Sequence, residues 1–342
     1  MTTILASSTT PAHGQRTVAV PPVHPRIHPD ITRWRRDAAQ RLGASPAVAR
    51  HFGDTGLIDL GGQPLSLHPL QGEPTGPWVA VTRAARPEQV HEDRWRDALL
   101  LATGQSLAVT HAAFGLADNG DAVAILRTAA GHDHPDLLAV ELAGLLNLRQ
   151  ALLDGLKTPV EMPAPLSTSG HGDDAPGSSD VAETGETPYL EAPEPVLSRV
   201  HGALLHLSLS PEAALAGSRS GAFMVDGISI GLACDAEGDT LVVTAELGTG
   251  ALDAPERRRL ALEANTALMA VAGVAIARDR GVARLMARCP THLPGALNGD
   301  EPPKEIPEIP GERFAIHFAA WLREFARLAL AVSDARIPAA SH

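Results

Sequence analysis

One turn-punctuated pattern occurs twice in this chain, and that recurrence leaves few ways to fold it. In the later copy, FMVDGISIGLACDAEGDTLVVTAELG, apolar residues alternate through Phe223 and Val225, then Ile228, Ile230 and Leu232, then Leu241, Val243, Ala245 and Leu247, with Asp and Gly turns between the runs. Alternation with period two over three short runs predicts a half-buried antiparallel meander. A helix follows, opening at Asp253, with Pro255 early and Glu256 three residues on, so that a side-chain cap meets a reciprocal acid. Leu260, Ala264, Ala267, Leu268 and Val271 recur along it at helical spacing. Asp279-Arg280-Gly281 predicts a tight hairpin between two closing strands, and from about Glu312 a last helix lines up Phe314, Phe318, Trp321, Leu322, Phe325 and Leu328. With a helix just before the meander, the order is α-βββ-α-ββ-α.

The earlier copy begins with DITRWRRDAAQRL, a helix from Asp30 to Leu42 with Ile31, Trp34, Ala38 and Leu42 on one face. Leu57, Leu60, Leu65, Leu67, Trp78 and Ala80 then mark three strands. HEDRWRDALLLATGQSL reads as a helix whose acidic first turn suits its dipole, and Asn119-Gly120 as the turn of a hairpin. The Leu-rich PDLLAVELAGLLNLRQALLDGL closes the unit as a helix. Aligned on Gly120 and Gly281, the halves read as repeats, the first the more divergent.

This order, the acidic-apolar meander, the LALEAN segment running into a small-residue helix, the short hairpin and the aromatic last helix resemble the type III secretion chaperones of the Tir chaperone (CesT) family, over roughly Pro195 to Val332. The resemblance implies two tandem α+β domains of α-βββ-α-ββ-α order forming an intramolecular pseudo-dimer. It also implies a cytoplasmic chaperone that binds the non-globular N-terminal segment of a secreted effector protein and keeps it competent for secretion. No turnover and no cofactor is expected, and the secretion ATPase is a further expected partner. Family members usually dimerise through the second helix, which here implies packing of Leu99, Leu100 and Ala102 against Leu260, Ala264, Leu268 and Val271. The cargo surface then falls on Phe223, Val225, Ile228, Ile230 and Leu232 and on Val282, Arg284 and Met286. A regulatory module of the secretion system with the same fold needs only the same kind of face and stays open as the alternative.

Composition agrees with a binding protein of two ordinary domains. The chain has 342 residues, of which 44% are hydrophobic, enough for two separate cores. Its formal charge of −12 argues against a broad nucleic-acid or anionic-membrane surface. No apolar run is long enough to span a bilayer and no signal-peptide pattern opens the chain. Cys234 and Cys289 fall on predicted strands outside any C-x-x-C unit, so they read as free thiols rather than as a disulfide or zinc site. The division expected is a disordered arm over 1–29, a divergent domain over 30–156, a flexible acidic Pro/Gly/Ser linker over 157–195, a second domain over 196–333 and a tail over 334–342. The Pro-rich stretch from Pro290 to Gly311 departs from the compact family pattern.

Two clusters carry chemistry of their own. GHDHPD places His132 and His134 beside Asp133 and Asp136, the arrangement a His/Asp-dependent metal enzyme would use, but Asp133, Pro135 and Asp136 are also what a helix start needs. The helix start is the reading we adopt, with no metal. The remaining histidines, His68, His91, His111, His201, His206 and His317 among them, are scattered, and no nucleophile elbow accompanies them. Arg257, Arg258 and Arg259 sit in the first turns of a helix, where positive charge opposes the dipole. They read as solvated surface, or as a patch for an acidic partner.

Overall fold

The computed structural model describes residues 29–70, 77–128, 131, 133–157, 190–235, 237–248, 250–279, 281–291 and 311–334. The arm over 1–28, most of the expected linker, His132 and most of the Pro290 to Gly311 stretch lie outside the described residues. The first half runs α1 (Pro29–Arg41), α2 (Pro46–Thr55), β1 (Leu57–Asp59), β2 (Pro64–Pro69), β3 (Trp78–Ala84), α3 (Glu92–Val109), β4 (Ala112–Leu116), β5 (Ala122–Thr128) and α4 (Pro135–Lys157). The second runs α5 (Glu194–His206), α6 (Pro211–Ser220), β6 (Ala222–Val225), β7 (Ile228–Cys234), β8 (Thr240–Glu246), α7 (Pro255–Ala272), β9 (Val274–Asp279), β10 (Val282–Pro290) and α8 (Glu312–Asp334). The fold is mixed α+β, with two five-stranded antiparallel sheets of order β1-β2-β3-β5-β4 and β6-β7-β8-β10-β9.

Each half has one helix more than the sequence reading expects. Ser45 accepts from the Val48 amide and Ser210 from the Ala213 amide; Pro46 and Pro211 occupy the first turn. Gly56 and Gly221 end the two helices in left-handed conformation, each donating its N–H to a carbonyl of the last turn. The second half also starts earlier than expected. Leu190 is buried and its N–H reaches the Arg219 carbonyl at 2.7 Å, so the last residues assigned to the linker belong to the packed body.

The start of α7 differs as well. Ala254 is its N-cap and no side chain caps it. The Arg258 guanidinium instead holds the carbonyls of Leu252 and Asp253, at 3.3 and 2.9 Å, which fixes the entering chain without the Asp253 cap.

Each sheet carries its helices on one face. In the first half Trp34 meets Trp78 edge to face, centroids 5.5 Å apart, over a core that includes Phe52, Leu67, Trp95, Leu99, Leu100, Phe114, Leu138 and Leu142. In the second, α8 crosses β6, β7 and β8, and its rings stack in file, Phe314 on Phe318, Phe318 on Trp321 and Trp321 on Phe325, at 5.2, 5.8 and 5.0 Å. A separate apolar cluster joins the halves: Val79, Leu107, Ala113, Val123 and Ile125 pack with Val242, Met269, Ala275, Ala277 and Met286. Among the described residues no helix is long and apolar enough to cross a membrane.

Candidate protein-binding surface

A sheet has two edge strands, and each carries backbone groups that need partners. Here β4 and β9 are edges that face the other half: α7 packs along β4 and α3 along β9. Asn265 of α7 is fully buried between them. Its Nδ2 donates to the Phe114 carbonyl on β4, at 3.0 Å, and to the Ile276 carbonyl on β9, at 2.8 Å, while its Oδ1 accepts from the Ile276 N–H at 2.7 Å. Thr103 of α3 completes the set, accepting from the Phe114 N–H at 3.0 Å. One residue on each inner edge, Phe114 and Ile276, thereby has both backbone groups met by side chains.

Charges frame the same contact. At one end Asp97 accepts from Arg278 at 2.9 Å and lies 3.5 Å from Arg258, which also lies 3.5 Å from Asp93. Arg258 is thus no solvated residue of the arginine run; its side chain is 12% exposed and lies against the acidic first turns of the opposite helix. Opposed acids offset the unfavourable dipole position. Arg257 is exposed, and Arg259 pairs with Glu263 on its own helix. At the other end Arg127 donates to the Val271 carbonyl at 3.1 Å and Arg288 to the Ala108 carbonyl at 2.8 Å, so each half caps the helix end of the other with a guanidinium. His111 sits near both. Burial and these two cations push its imidazole down to about 4.

The outer edges, β1 and β6, have no strand beyond them among the described residues. On β1 the register alternates from the Leu60–Gln63 turn, so the backbone groups of Leu57 and Asp59 point away from β2. The Leu57 N–H is taken by Thr55 Oγ1 at 3.1 Å. Beside this edge a groove of about 770 Å³ opens between α2 and the sheet, lined by Val48, His51, Leu57, Ile58, Val81 and Arg83 among others. Ile58 is the residue that faces inward on β1, while Leu57 is 47% exposed, the reverse of the expected strand face. Met224 and Leu215 are the corresponding exposed apolar residues at the β6 edge, 55% and 44% exposed.

Most of the residues expected to form the cargo face are covered in the structure. Phe223, Val225, Ile228 and Ile230 are buried beneath α8, and Leu232 is half-buried against the same core. Met286 is buried between the halves, and Arg284 is held by Asp279 at 2.7 Å and by Glu246 at 3.4 Å. Val282, at 37%, is the most exposed apolar residue of these eight. The physical reason is that the alternate apolar residues of a meander are the ones its own helix covers.

The expected contact residues divide likewise. Leu99 and Leu100 are fully buried, Ala102, Ala264 and Leu268 half-buried, and Leu260 and Val271 are exposed at 39% and 53%. Among the parts of α7 that meet the first half are Arg258, Asn265, Thr266 and Met269, with the Leu262 and Val271 carbonyls. Their signal was a lone Asn at a helical core position, which the apolar spacing passed over.

Cys234 and Cys289 lie on β7 and β10, each in register with Leu241 on the strand between, which puts their Cα atoms two strand spacings, roughly 9 to 10 Å, apart. A disulfide needs about 4.4–6.8 Å. Burial pushes Cys289 up to about 12. His134 and Asp133 face each other at 3.5 Å in the open, and among the described residues no three His, Cys, Asp or Glu side chains converge as metal ligands. Comparison with protein-family models, with curated proteins and with solved structures finds no match to this chain.

Proposed function

We propose that this chain is a non-catalytic protein-binding molecule of the type III secretion chaperone kind, two family-like domains paired within one chain as a pseudo-dimer. In this reading it holds an extended segment of a secreted protein in the cytoplasm. One observation carries the reading. The helix between the third and fourth strands of each half packs along the inner sheet edge of the other half, while among the described residues no strand covers the outer edge β1, which lies beside an apolar groove. An extended polypeptide fits such a place, because its backbone can pair with the Leu57 carbonyl and with Asp59, and its apolar side chains can enter the groove over Val48 and Val81. No step of this role needs a reacting group.

The test is co-purification from the source cells, with bound proteins identified by mass spectrometry. The reading expects a secreted protein whose N-terminal segment alone rebinds, and whose binding is lost when Val48→Glu and Leu57→Lys alter the groove. A partner that binds both forms equally, or no partner at all, contradicts it.

A further inference from the structure

The halves meet through parts that match each other and do not match themselves. Thr103 and Asn265 are equivalent residues, since each clasps the strand following its own helix: Thr103 Oγ1 accepts from the Phe114 N–H, and Asn265 Oδ1 from the Ile276 N–H. One residue on, Gly104 corresponds to Thr266, and Gly115 to Ala277. By the same count Arg96 corresponds to Arg258, Asp97 to Arg259, and Leu116 to Arg278.

Across the contact Thr266 lies over Gly115. A Cβ at Gly115 would stand 2.4 Å from Thr266 Oγ1 and 3.0 Å from the Leu262 carbonyl. Gly104 in turn lies on β9, where a Cβ would stand 2.7 Å from the Arg278 carbonyl. The larger residue of each pair thus meets the smaller residue of the opposite strand, or backbone that leaves room only for glycine. The charges are divided in the same manner: the acids Asp93 and Asp97 belong to the first half, and Arg258 and Arg278 to the second.

We infer that this contact is a heterotypic recognition surface, on which each half accepts the other half and rejects a second copy of itself. Pairing two second halves in the same geometry sets Thr266 against Ala277, whose Cβ occupies the place that Gly115 leaves vacant. It also sets Arg258 and Arg278 against Arg259 where Asp97 now stands, gathering three guanidiniums in a partly buried site. Pairing two first halves sets Gly104 against Gly115, which leaves a gap, and sets Asp97 against Leu116 in place of Arg278, so that of its two guanidinium partners only the equivalent of Arg258 remains, Arg96, which Glu92 and Asp93 of its own helix already hold. The device matters because a chain with two self-complementary faces would link to its neighbours in open runs. It stands independently of what the β1 groove binds.

The test uses the full chain with a protease site inserted between Lys157 and Leu190. An N-terminally tagged preparation and an untagged one are cut, mixed, diluted and left to exchange before the tag is captured. The expected eluate is tagged first half with an equal amount of second half and no untagged first half. Recovery of untagged first half, dimers of the second-half fragment, or loss of the second half on cutting overturns the inference. Gly115→Ala should weaken association roughly tenfold or more, as an overpacked contact does, with Thr266→Gly restoring part of it. Should Gly115→Ala fail to fold, the charge pair serves instead: Asp97→Arg should weaken association, and adding Arg278→Asp should recover it. Unchanged association in both single variants would also overturn it.

Discussion

Asn265 and Phe114, on opposite halves of the chain, share a hydrogen bond of 3.0 Å from a fully buried amide to the carbonyl of an edge strand. The same amide serves both groups of Ile276, so one side chain satisfies backbone of two sheets at once. A buried polar group so placed is specific because any other register leaves it, and the strand groups, unpaired.

Asn265→Ala is therefore expected to cost roughly 2 to 4 kcal/mol, the penalty for orphaning buried backbone groups. Denaturant unfolding of the full chain measures it. A midpoint equal to that of the unaltered chain would show that the amide is dispensable.

The ring file on α8 predicts a second loss. Trp321 is 5% exposed between Phe318 and Phe325, as its helical spacing with them in the sequence leads one to expect. Trp321→Ala should cost roughly 3 to 5 kcal/mol as a large buried aromatic. Thermal unfolding that leaves Tm in place would contradict the packing.

His111 sets a pH dependence. Its folded value of about 4 lies below the ordinary 6.5, so the unfolded chain binds its proton more readily. The contribution is fully present above about 6.5 and is lost as pH falls from there towards 4, by up to about 3 kcal/mol at one pH unit per 1.36 kcal/mol. Comparing His111→Gln with the unaltered chain at pH 7.5 and pH 4.5 isolates it from the carboxylates. The variant should lose less stability across that range; equal losses would mean that His111 is not held neutral.

Cys289 predicts inertness towards thiol reagents. Buried and pushed up to about 12, it holds almost no thiolate at neutral pH. Of the two thiols Cys234, half-buried and raised more mildly by burial and by Asp235 and Asp239, should react first in the native chain. Mass spectrometry after brief alkylation decides the order, and faster labelling of Cys289 would contradict it.

Much of the fold was legible because its signals are local. The alternation of Ile228, Ile230 and Leu232, the turns at Gly120 and Gly281, and the aromatic stripe of α8 each report a short stretch of backbone. Ser45-Pro46 and Ser210-Pro211 were legible too, yet short helices of ten residues offer little periodicity against a strong meander next to them. What periodicity does not carry is the identity of the neighbour. It marks Phe223 and Val225 as apolar-faced, but not that α8 is what covers them. It marks Leu260 and Val271 as a stripe on α7, but not that Arg258, Asn265 and Met269 meet the other half. Arg258 shows the same limit: its place opposes the helix dipole, and only the fold brings Asp93 and Asp97 to it.

The claim that the open edge beside α2 receives an extended polypeptide is tested most directly by amide hydrogen exchange on the full chain. The partner recovered by co-purification, or its N-terminal segment, is added at saturation. The account predicts slowed exchange at Leu57 to Asp59 and across Ala47 to His51, with the corresponding amides around Met224 changing less, since the groove lies beside β1. Bound partner with unchanged exchange at Leu57 to Asp59 would contradict it.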